Sequence, residues 1–296
     1  MTNQKNYKAL FSLLSIYVIW GTTYLAIRIG VNDLPPVLFT GLRWLAAGPI
    51  MVSIMLLQKH KLPSKDDLKH LTIIGLLLLG GGNGFVVFAE QWVPSGLTAL
   101  LITTVPFWVV GIESFYPIKK KVNSLIIIGL FLGLIGVLLI FGGDLNKIFD
   151  PSYFKGVIGL MIAVFLWSIG TVYSKHKKVS VHSLMGAAIE MIIAGVVITL
   201  FGLILGEAKY FHFTNESLLA YLYLVFFGSL LGYGSYIYAI AHLPISLVST
   251  YAYVNPIIAL FLGWLILGEP ITIWIIIASI VILVGVTLIK RGSRDN

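Results

Sequence analysis

The amino-acid sequence predicts an all-α polytopic membrane protein, with ten transmembrane helices in two five-helix inverted repeats and both termini cytoplasmic. Three observations carry that expectation. Of the 296 residues 58% are apolar and only 11% are charged, a balance foreign to soluble domains. The apolar residues gather into ten runs near the roughly 20 residues a helix needs to cross a bilayer. The chain also repeats itself. Adding 147 to Trp20, Arg28, Arg43, Ala47 and Gly48 gives Trp167, Lys175, Glu190, Ala194 and Gly195, and an offset of 150 takes Gly84, Pro94 and Pro106 to Gly234, Pro244 and Pro256.

The first repeat, residues 1–145, holds spans at 9–29, 36–57, 71–90, 95–116 and 124–141. The second, residues 151–296, holds spans at 156–174, 182–205, 218–240, 244–267 and 271–289. Unbroken apolar runs such as 73–79 and 273–277 do not alternate, which argues against a β-barrel and for helices. The opening stretch has Lys5 and Lys8 before an apolar run but no small-x-small cleavage site, and it repeats later, so it reads as a retained helix. In span three Gly80-Gly81-Gly82-Asn83-Gly84 weakens a helix by roughly 1 kcal/mol per glycine and predicts close helix contact or a bend. Pro106 and Pro256 should kink spans four and nine, since each removes a backbone donor.

Five spans per repeat is an odd number, so the second repeat enters the bilayer from the side opposite to the first. Inverted repeats of this kind mark alternating-access transporters, whose site lies between the halves near the midplane. Lys and Arg set the orientation. Fifteen of the twenty (Lys5, Lys8, Lys59, Lys61, Lys65, Lys69, Lys119, Lys120, Lys121, Lys175, Lys177, Lys178, Lys290, Arg291 and Arg294) fall on one side, which is therefore cytoplasmic. Arg28, Lys147, Lys155 and Lys209 fall on the other, and Arg43 lies within a span. The net charge of +8 is thus a topology signal spread over short loops, and no nucleic-acid partner is expected. With no cysteine, disulfides, thiolate nucleophiles and Cys-held metals are excluded.

Several stretches resemble the EamA-type branch of the drug/metabolite transporter superfamily. They are Ile19-Trp20-Gly21-Thr22-Thr23-Tyr24, Val93-Pro94-Ser95-Gly96, Tyr251-Ala252-Tyr253-Val254-Asn255-Pro256 and Leu267-Gly268-Glu269-Pro270. The resemblance covers essentially the whole chain and looks closest to bacterial amino-acid and metabolite exporters. It implies a multi-pass protein of the bacterial inner (plasma) membrane that exports amino acids, aromatic ones among the candidates, or similar small metabolites. The first half departs from the family's Gly-Glu turn after helix four, having Tyr116-Pro117-Ile118-Lys119.

Arg43 and Glu190 are the leading candidates for the site, because a charge in hydrocarbon costs about 2.5–3.5 kcal/mol and so faces protein or a watery cavity. At 1.5 Å per residue, Arg43 lies ~10 Å below the outer surface and Glu190 ~12 Å above the inner one. They are placed to bracket a zwitterion, Arg43 on a carboxylate and Glu190 on an ammonium. Structural bonding that holds the halves together remains the competing role. Trp20, Thr23 and Tyr24 share one face of span one, and Trp167 and Thr171 repeat it. Tyr251 and Asn255 share a face of span nine, while Asn83 and Tyr233 match in spans three and eight. Such groups suit the wall of a cavity for an amphiphilic solute.

Trp92, Trp108, Trp264, Trp274, Tyr7 and Tyr116 are expected at interfaces or in packing. Glu90 and Glu113 are expected at the interface, and Glu269 is expected to cap span ten. The histidines His60, His70, His176, His182, His212 and His242 show no metal-ligand spacing, and no cofactor is expected. An intramembrane enzyme is the competing function, but no span holds paired Asp, a His-Glu-x-x-His helix or a Ser/His set, and Gly142-Gly143-Asp144 has no partner Asp in another span. A receptor or scaffold without flux is the third. The substrate and any proton coupling stay open.

Overall fold

The computed structural model describes residues 2–113, 123–140, 150–177, 179–243, 245–249 and 251–294. The turn at 116–119, the lysines at 119–121, the 142–147 stretch, Lys178 and Pro244 lie outside the described residues. Within them the chain is helical and holds no strand. The helices are α1 (Thr2–Asp33), α2 (Pro36–Leu57), α3 (Lys65–Ala89), α4 (Ser95–Glu113), α5 (Ser124–Ile140), α6 (Pro151–His176), α7 (Ser183–Ile204), α8 (Asn215–His242), α9 (Tyr251–Leu267, after a short turn Ile245–Val248) and α10 (Ile273–Arg294). Seven, α1 to α4 and α6 to α8, are long and apolar enough to cross a membrane, and α5, α9 and α10 contain shorter apolar helices.

Helix ends depart from the apolar runs where polar caps decide them. α3 and α8 begin well before their apolar stretches, at the capping boxes Ser64/Asp67 and Thr214/Ser217, whose side chains satisfy amides that a bare helix start leaves open. α4 breaks at 103–104, just ahead of Pro106, whereas α9 runs unbroken through Pro256. The glycine stretch of α3 makes the expected close contact, Gly81 and Gly82 lying against Leu166 and Trp167 of α6, and it does not wind as an ordinary α-helix. Leu76–Asn83 winds as a π-helix, and Leu224–Tyr233 of α8 does the same at the corresponding place. Such wide turns concentrate at functional sites.

The packing is reciprocal. α2 lies against α7 and α5 against α10, while α1 packs on α8 and α9, and α6 packs on α3 and α4. Close approach of α2 and α7 depends on two glycines. A Cβ on Gly48 would lie 2.6 Å from a side-chain carbon of Ile192 and 3.0 Å from its amide nitrogen, and one on Gly195 would lie 2.8 Å from the amide nitrogen of Leu45. The absent Cβ lets the two backbones touch, as small residues do between membrane helices. The molecule's polarity is that of a protein in lipid. Phe11, Ile204, Trp264 and Ile273 are exposed, while Arg43, Glu90, Glu190 and Asn255 are buried.

Hydrogen bonds join the two halves at both ends of the bundle. At one end Asp67 accepts from the Ser180 amide at 2.9 Å and the Ser180 hydroxyl at 2.5 Å. At the other, Glu207 accepts from the Leu38 amide at 2.6 Å, and the Thr214 hydroxyl donates to Asp33 at 2.5 Å. Two acids sit otherwise than expected. Glu269 does not cap α10. Its carboxylate accepts from the Ser95 and Gly96 amides, at 2.8 and 3.1 Å, and so caps α4. Gly268, with φ of 65°, turns the chain so that this reach is made. Glu90, expected to reach polar surroundings at the interface, instead has none of its surface exposed.

Candidate functional site

Between these ends lies a cavity of about 60 Å³. Its wall is shared by both halves. α1 supplies Trp20, Thr23 and Tyr24; α2 supplies Arg43 and Trp44; α3 supplies Asn83; α6 supplies Trp167; α8 supplies Tyr233; and Tyr251 comes from the start of α9. Eight of the eleven residues anticipated from sequence therefore line one cavity. Thr171, Glu190 and Asn255 stand one bond behind it. The Thr171 hydroxyl donates to the Trp167 carbonyl at 2.8 Å, the Tyr233 hydroxyl donates to Glu190 at 2.5 Å, and the Asn255 amide nitrogen donates to the Tyr251 carbonyl at 3.3 Å.

Arg43 is 3% exposed. Its Nε donates to the Ser229 hydroxyl at 2.8 Å, and its guanidinium carbon sits 4.4 Å from the centre of the Trp44 ring. The π-turn of α8 makes room for it, since a Cβ on Gly228 would lie 2.9 Å from Nη2. Nη1 is buried without a hydrogen-bond partner. The Oδ1 of Asn83 is the matching orphan, a buried acceptor with nothing to accept. Trp44 Nε1 is a further buried donor without a partner. An unmade bond of this kind costs about 1–3 kcal/mol, and a wall whose residues hold two spare donors, one of them cationic, and one spare acceptor calls for a ligand that satisfies them.

The rest of the wall is aromatic. Trp20 meets Trp167 edge to face at 5.4 Å and Tyr251 edge to face at 5.2 Å, and lies tilted against Tyr236, a residue just behind the wall, at 4.9 Å. Each tryptophan seats over a π-turn glycine of the other half, Trp167 on Gly82 and Trp20 on Gly232. Tyr236, Ser229 and Trp44 complete the site and were not anticipated. Tyr236 follows Tyr233 by three residues on one helical face, a spacing that marks it, whereas nothing in the sequence pairs Ser229 with Arg43. A larger groove of about 1120 Å³ between α1, α8 and α9 has walls such as Leu25, Phe226 and Leu262 and shares no residue with the cavity. Trp108, Trp264, Trp274 and Tyr7 are exposed, away from the cavity.

Comparison with known proteins decides the family. The sequence matches the EamA-like transporter family over residues 7–142 and again over 154–291. The chain belongs to the EamA-like transporter family. This EamA-like protein is 38% identical over 284 residues to the inner membrane transporter YedA of Escherichia coli (strain K12), spanning 95% of this chain and 90% of that one. It is 30% identical over 280 residues to the transporter YoaV of Bacillus subtilis (strain 168), covering 94% and 95% of the two chains. A probable amino-acid metabolite efflux pump of Salmonella typhimurium is 24% identical over 295 residues, covering 96% and 95%. A solved crystal structure shares the fold, with TM-score 0.71 at 19% identity over 97% of this chain and 98% of that one. The EamA-like chain is thus a multi-pass membrane transporter for a small molecule and not an enzyme.

Proposed function

We propose that this protein exports amino acids or similar zwitterionic metabolites from a bacterial cell across its inner membrane, by alternating access between two inverted five-span halves with cytoplasmic termini. The observation that carries the substrate class is that, of the three unpartnered polar atoms on residues of the cavity wall, one is cationic, Arg43 Nη1, and one is an acceptor, Asn83 Oδ1, the third being the Trp44 indole N–H. A carboxylate completes the first and an ammonium group completes the second. The surrounding indole and phenol faces accept an apolar or aromatic side chain and attract the ammonium. Glu190 acts from behind, holding Tyr233 at the wall. Both the amino-acid efflux description of the Salmonella relative and the excess of Lys and Arg on one side fit this reading.

The architecture supports the cycle. Trp20 and Trp167 are repeat mates in contact, as residues beside a two-fold axis must be. Gly48 and Gly195 are mates that receive each other's helices. The cavity, walled by both halves, is where a solute is held between the two sides. Proteoliposomes preloaded with an unlabelled amino acid should accumulate the same labelled amino acid by counterflow, and a panel of amino acids and their decarboxylated amines should show that the carboxylate is required. Equal counterflow of amines and amino acids would overturn the role given to Arg43, and no counterflow of any zwitterion would overturn the substrate class.

A further inference from the structure

The second orphaned charge lies outside the cavity. Glu90 ends α3, none of its surface is exposed, and neither carboxyl oxygen has a hydrogen-bond partner. Its nearest cation is already engaged elsewhere, for Arg28 of α1 donates to the backbone carbonyl of Glu90 and not to its side chain. The other titratable groups facing it are Tyr24 of α1 and Glu269, whose carboxylate is held by Ser95 and Gly96 of α4. An ionised Glu90 would therefore lack water and donors and would face a second negative charge. The neutral acid removes the repulsion and lowers the cost of burial, which is far smaller for an unpaired neutral group than for an unpaired charge.

We propose that Glu90 is a proton-binding site: it carries a proton while this end of the bundle is closed and gives it up when the end opens. No metal or amine fits the role. Glu90 is not among the residues lining the cavity, and a hard metal ion needs six or more oxygen ligands where this carboxyl brings two. A proton needs no room. Release follows from the surroundings. Once the end of α3 parts from α1 and from the Glu269 turn, water reaches the carboxyl, the O–H bond breaks, the proton passes to that water, and the carboxylate pairs with Arg28. Tyr24 and Val86, one turn earlier on α3, line the cavity, so the same parting opens the cavity and wets Glu90.

Proton binding at Glu90 is independent of the amino-acid reading, and only its coupling to flux rests on that reading. The first test is infrared absorption of the purified protein at neutral pH, where a protonated carboxyl shows a C=O stretch that moves in heavy water. Glu90→Gln should remove one such band and, because the amide mimics the neutral acid, should fold and melt like the native protein. An unchanged spectrum would show Glu90 ionised and overturn the site, as would a Glu90→Gln protein that misfolds. The second test is flux in liposomes under an imposed pH gradient. Glu90→Gln should keep native counterflow and lose at least tenfold of the response to the gradient. A native-like response in Glu90→Gln would overturn the coupling while leaving the amino-acid reading intact.

Discussion

Replacing Arg43 by lysine keeps a cation in the wall and removes the fork. The native guanidinium spends Nε on Ser229 and lies over Trp44, which leaves Nη1 without a hydrogen-bond partner. A lysine ammonium is a point charge that cannot hold Ser229, stack on the indole and meet a carboxylate in the same plane. One charge-assisted hydrogen bond is therefore lost from the bound solute, about 1.5–3 kcal/mol, or about a 10- to 150-fold weaker affinity at 1.4 kcal/mol per decade. Counterflow in liposomes measured over a range of amino-acid concentration should show that loss chiefly as a raised KM, with the melting temperature of the detergent-purified protein little changed. Ser229→Ala frees Nε without touching the charge and should give a smaller loss in the same direction. A native KM for Arg43→Lys would refute the assignment. A collapse of the melting temperature with native KM in the surviving fraction would make Arg43 a structural residue.

Other expectations follow from the packing and the ends of the bundle. Gly195→Leu places a branched side chain where the Leu45 amide is 2.8 Å from a Cβ, so it should destabilise the α2–α7 pair by about 1–3 kcal/mol and lower the melting temperature, whereas Gly206→Ala, in a turn with φ of 76° where a Cβ meets nothing within 4 Å, should cost less. His182 lies against His60 with ring centres 4.4 Å apart. Burial, followed by the nearby His60 and His242, pushes its imidazole below the usual histidine range. The folded state thus favours the neutral ring. Its contribution is complete above the ordinary value near 6.5 and is lost as pH falls below it. Melting temperature should drop between about pH 7 and 5, and His182→Asn should shrink that drop. For orientation, a single cysteine at the exposed His212 should react with an impermeant thiol reagent added to intact cells, and one at the exposed Lys61 should react only after the membrane is opened. The reverse pattern would invert the topology.

The sequence alone determined most of the architecture because its signals are local or periodic. Apolar runs marked where helices stand, since lipid offers their backbone no other partner. The offset of 147 exposed the matched pairs Trp20 with Trp167 and Arg43 with Glu190, and scarce polar residues in apolar sequence marked the cavity wall. Only the tertiary structure decided which polar group meets which. Glu190 and Asn83 lie in apolar segments of similar composition, yet one is bonded behind Tyr233 while the other faces the cavity unsatisfied. Glu269 looked like a cap for the next helix and instead crosses to α4, because a left-handed Gly268 redirects the chain. Glu90, at the end of an apolar run, carried no sign in the sequence that α1 and the α9–α10 turn would close over it. Spacing along a chain sets which face a side chain shares, but its partner across a helix interface is set by packing distances that no single segment contains.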